Sequence, residues 1–106
     1  MVTITYEVKA FPNSIKFYLP KVEGYLDFVR EIASRYGSMS LIEFDGYFEG
    51  KFEPNKYTLV EVHTTRINEK NIIEFANSVR VKLEQKSLAL EFDNKLILVN
   101  ETKTTP

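Results

Sequence analysis

The sequence predicts an α+β domain of order ββαββαββ, with two amphipathic helices covering one face of an antiparallel-rich sheet. Three observations carry this expectation. Residues 57–65 alternate with period two, setting Thr58, Val60, Val62 and Thr64 against Tyr57, Leu59, Glu61 and His63. Two other stretches repeat apolar residues at helical spacing: Val22, Tyr25, Leu26, Val29, Ile32, Ala33 and Tyr36, then Ile72, Phe75, Ala76, Val79 and Leu83. Pro-Asn and Asp-Asn clusters between the periodic segments mark chain reversals.

Each element has its own local reason. Residues 2–9 read as a first strand, with Val2, Ile4, Tyr6 and Val8 alternating against Thr3, Thr5, Glu7 and Lys9. A turn at Phe11-Pro-Asn-Ser14 joins it to a second strand through Leu19. There Ile15, Phe17 and Leu19 point inward, and Lys16 and Tyr18 outward. Pro20 suits the first turn of a helix and Gly37 its left-handed stop. Residues 41–52 read as one long strand bulged at Asp45-Gly46, with Ile42, Phe44 and Phe48 inward and Leu41, Glu43, Tyr47 and Glu49 outward. Glu53-Pro-Asn-Lys56 then turns the chain into residues 57–65. Asn68 caps the second helix, and residues 87–92 and 95–99 form a terminal hairpin about Asp93-Asn94.

Without its first and last strands this order is βαββαβ, the ferredoxin-like split βαβ arrangement. Two helices cannot cover both faces of such a sheet, so they pack together on one side and leave the other open. The expected core is Ile15, Phe17, Val29, Ile32, Phe44, Val60, Val62, Phe75, Val79 and Leu90. Residues 1–99 form one domain, and the polar residues 100–106 fray.

Composition excludes several chemistries. The 106 residues contain no cysteine, so disulfides, thiolate nucleophiles and cysteine-held metals are absent, in keeping with a cytoplasmic protein. No apolar run approaches the roughly 18–20 residues of a membrane-spanning helix. A net charge of -1 gives no global attraction to nucleic acid or membrane.

Function is read from the open face, expected to carry Lys16, Tyr18, Leu41, Glu43, Tyr47, Glu49, Tyr57, Leu59, Glu61, His63, Ala89 and Glu91. Tyrosines and leucines beside few charges suit protein contact, so the leading expectation is a non-enzymatic, homo-oligomeric interaction protein. In that reading it is a dimer, associating through Tyr18, Tyr47, Tyr57, Leu59 and His63 on the open face, or through a sheet edge, and it needs no cofactor. A second reading is a hydrolase or nuclease-like enzyme using His63 as acid/base with Glu61 and Glu49, since histidine titrates near neutrality. Its metal-assisted form places a divalent cation on His63, Glu61 and Glu43 or Glu49, with Arg66 and Lys51 available to stabilise charge. A third reading stacks single-stranded nucleic acid on Tyr18, Tyr47 and Tyr57, against the repulsion of Glu43, Glu49, Glu61 and Glu91.

Overall fold

The computed structural model describes residues 5–36, 39–48, 50–65 and 68–102. The described elements run β1 (Asn13–Pro20), α1 (Tyr25–Tyr36), β2 (Ser40–Phe48), β3 (Lys51–Thr64), α2 (Glu69–Lys82), β4 (Ser87–Phe92) and β5 (Lys95–Asn100). They build one antiparallel sheet of order β2-β3-β1-β4-β5, with the two helices packed on a single face. The first four strands and both helices make the ferredoxin-like split βαβ unit, and β5 adds a fifth strand at one edge.

β1 sits at the centre, and its register fixes the faces. Ile15, Phe17 and Leu19 oppose Val62, Val60 and Thr58 on β3, while Phe17 also opposes Leu90 on β4. Opposed residues share a face, so these side chains form one apolar floor. α1 lays Phe28, Val29 and Ile32 onto it, and α2 adds Ile72, Phe75, Ala76 and Val79. Phe17 meets Phe75 edge-on at 5.9 Å between ring centroids. The Asn68 side chain caps α2 by accepting from the Asn71 N–H at 3.2 Å. Asp93 and Asn94 both adopt positive φ, 46° and 68°, which gives the β4–β5 hairpin its two-residue turn.

Four local expectations are corrected. The predicted first strand does not pair with β1: residues 5–12 lie in no strand, and the rest of that segment falls outside the described residues. Both edges of β1 are already taken, by β3 and by β4, so a hairpin partner has no edge to join. Pro20 ends β1 instead of opening α1, which begins at Tyr25. The second hairpin turns at Gly50, whose φ of 78° favours glycine, and not at residues 53–56, which continue β3. Pro54 is tolerated there because the register shifts between Phe44 and Gly46, and residues 51–56 have no ladder partner on β1.

The fourth correction concerns Phe44. Nine of the ten expected core residues are buried, but Phe44 opposes Tyr57 on the open face, while Leu41 and Glu43 oppose Val60 and Thr58 on the helix side. β2 is an edge strand with apolar residues at both parities. Its own alternation therefore does not choose a face, and the pairing with β3 does. Gly37 falls outside the described residues.

Candidate active site on the open sheet face

The open face carries a polar row across the three central strands. Lys16 on β1 stands opposite Glu61 on β3 and opposite Glu91 on β4. Its ammonium lies 3.5 Å from the Glu91 carboxylate. Glu61 in turn holds His63, with Oε1 at 2.9 Å from the ring Nε2. All three row members are part-buried, whereas His63 is exposed. One lysine between two carboxylates leaves the row net negative when the imidazole is neutral.

Beside the row lies an aromatic cluster. Tyr18 opposes Leu59 and Ala89 in the next register position. Phe44 stacks on Tyr57 at 5.4 Å with 24° between ring planes, and meets Tyr18 edge-on at 5.6 Å. Gly46 makes room for this cluster. A Cβ at that position would sit 2.5 Å from Cε2 of the Tyr57 ring. The bulge and the glycine together let the strand pass beneath the aromatic stack.

The Tyr18 hydroxyl joins cluster and row electrostatically, through the charge of the Glu91 carboxylate. Burial raises its pKa above the usual value of 10.0, and the charges of Glu91 and Glu61 push the same way, with Lys16 opposing. Tyr18 is thus held as a neutral phenol able to donate a proton. Tyr36, at the end of α1, is raised by burial as well, against the pull of Arg35. Both shifts favour the protonated form in the folded state. Their stabilisation is complete below the unfolded-state value of about 10 and is lost as pH rises through the raised folded values. Chemical denaturation should therefore show a falling midpoint above about pH 10, and less of a fall in a Tyr18→Phe/Tyr36→Phe double variant. An equal fall in both proteins would remove these tyrosines as the cause.

The residues expected from sequence divide clearly. His63 and Glu61 are brought together, and Tyr18, Tyr57 and Leu59 share their face. Glu43 is not among them: it lies on the helix side and pairs with Lys21 at 2.8 Å. The set of His63, Glu61 and Glu43 is therefore split by the sheet. Among the described residues no cluster of three histidine or acidic side chains is placed to hold a metal ion. Glu49, Arg66 and the side chain of Tyr47 lie outside the described residues, and Lys51 begins β3. Glu91 and Lys16 lie on this face as expected, and their pairing makes them part of the candidate site. Phe44 was missed because it was assigned to the core.

No protein-family model matches this chain, and no curated protein does. Two solved structures match its fold from end to end. One is a phage SAM lyase in complex with S-methyl-5′-thioadenosine, with TM-score 0.64 and 10% identity over 93% of this chain and 97% of that one. The other is a phage SAM lyase in its apo state, with TM-score 0.60 and 10% identity over 97% and 100%. At that identity the likeness shows the fold alone. It nonetheless overturns the expectation of a non-enzymatic interaction protein. That expectation took an amphipathic open sheet face without a connected catalytic constellation as the mark of a binding module, and an enzyme uses the same whole-chain architecture.

Described helices include none long and apolar enough to cross a membrane.

Proposed function

We propose that this protein is a lyase acting on an adenosylsulfonium substrate, S-adenosylmethionine or a close analogue, bound on the open sheet face. The observation that supports this reading is the continuity of the Tyr18, Phe44 and Tyr57 cluster with the Glu61–Lys16–Glu91 row. A purine ring stacks on aromatic side chains with a gain of about 1–3 kcal/mol. A sulfonium is a compact cation and is attracted both to aromatic faces and to carboxylates. One ligand carrying adenine and sulfonium matches both halves of the patch. The end-to-end fold likeness to SAM lyases agrees with this choice of ligand.

The chemistry asks little of acid catalysis. When the carbon–sulfur bond breaks, its electron pair goes to sulfur, and the sulfonium leaves as a neutral thioether that needs no proton. Orientation and charge placement then dominate the catalytic task. Glu61, held by His63 at 2.9 Å, takes the proton that an eliminating carbon chain gives up. Lys16 meets the carboxylate end of an amino-acid side chain, and Tyr18 donates from the floor of the patch.

Incubation of the purified protein with S-adenosylmethionine tests this directly. Time-dependent appearance of S-methyl-5′-thioadenosine by liquid chromatography is the expected result. Neither thioadenosine formation nor calorimetric binding of either compound at millimolar concentration would overturn the assignment.

A further inference from the structure

The polypeptide carries a strand-patterned segment outside the sheet and, separately, an unprotected sheet edge. Residues 5–12 precede β1 without joining the sheet, and Tyr6, Val8 and Phe11 on them are 87%, 78% and 52% exposed. Their period-two pattern is that of a strand: Tyr6 and Val8 alternate with Thr5, Glu7 and Lys9. β1 cannot accept them, since β3 and β4 fill both its sides.

The sheet has two outer edges, and they differ in kind. β2 is interrupted by the register shift between Phe44 and Gly46 and carries Glu43 and Asp45, features that blunt an edge against further pairing. β5 pairs with β4 in unbroken register over all six of its residues. On the open face it presents Leu96 and Leu98, 60% and 56% exposed. A regular apolar edge strand of this type is a template for strand addition.

We propose that residues 5–9 of one copy add as an antiparallel strand to the β5 edge of a second copy, with the exchange reciprocated to give a dimer. In the register with Tyr6 opposite Leu96, Tyr6 stands beside Leu96 on the open face, and Glu7 falls opposite Lys95, an ammonium that already holds Glu69. Thr5 then lies opposite Ile97, on the helix side. The arm lies against Leu96 and satisfies backbone groups of β5 that face outward.

The absence of cysteine gives a clean test. Opposed residues on antiparallel strands have Cα atoms about 4.5–5.5 Å apart, within disulfide reach. A Tyr6→Cys/Leu96→Cys double variant of the full chain, mildly oxidised at micromolar concentration, should run on a non-reducing gel at twice the 12.4 kDa chain mass. The covalent dimer should exceed that of either single variant by at least tenfold. A closed disulfide at monomer mass would overturn the exchange in favour of an arm folded on its own edge. Free thiols after oxidation, with normal circular dichroism, would overturn strand addition altogether.

Discussion

Val60→Asp is expected to abolish the folded population. Val60 is wholly buried at the centre of β3, between Phe17 on β1 and Leu41 on β2, and the only buried polar residue among those described is Thr58. A carboxylate there has no partner to pair with. Leaving a buried charge uncompensated costs about 3–5 kcal/mol or more, and protonating it instead still buries an unsatisfied polar group. Domains of this kind have about 5–15 kcal/mol of stability in total, so the variant loses most of its margin. Circular dichroism and urea titration read the outcome. Val81→Asp on the exposed side of α2 serves as the control, expected to shift stability by no more than about 0.5 kcal/mol. A wild-type midpoint for Val60→Asp would mean that the inner face of β3 has been misassigned.

The second large effect concerns catalysis. Under the lyase reading, Glu61→Gln keeps the size and the hydrogen-bonding shape of the side chain but removes the base and its negative charge. Cleavage of S-adenosylmethionine should fall by about 10²–10⁴-fold, the usual contribution of a positioned general base. His63→Ala should cost less, because the imidazole is exposed and acts by orienting Glu61 at 2.9 Å. Both variants should fold normally, since neither residue belongs to the buried core. Retention of full turnover by Glu61→Gln would move the catalytic role elsewhere on the face, with Glu91 and Tyr18 next in line. A parallel loss of stability would instead mark Glu61 as a structural residue.

What could be read from the chain by itself was whatever one periodicity could decide. The alternation of residues 57–65, the helical spacing of Ile72, Phe75, Ala76 and Val79, and the Asn68 cap each act within a few residues, and each appears in the structure as expected. The ferredoxin-like order followed from their sequence, as did the placing of Glu61 and His63 on one face. Tertiary pairing decided the rest. Residues 5–12 have a strand's pattern but no strand, because β4 returns from beyond α2 to occupy the edge of β1 that they would have used. Phe44 has a core residue's character but lies on the open face, because an edge strand with apolar residues at both parities takes its orientation from its partner's register. Glu43 is separated from His63 by that same parity, so the metal set that takes Glu43 is divided between the two faces, while the set that takes Glu49 lies outside the described residues. The Glu61–Lys16–Glu91 row joins residues as far as 75 positions apart in sequence, Lys16 and its neighbour Glu91. Such a row exists only once β1 lies between β3 and β4, a long-range arrangement that no local periodicity encodes.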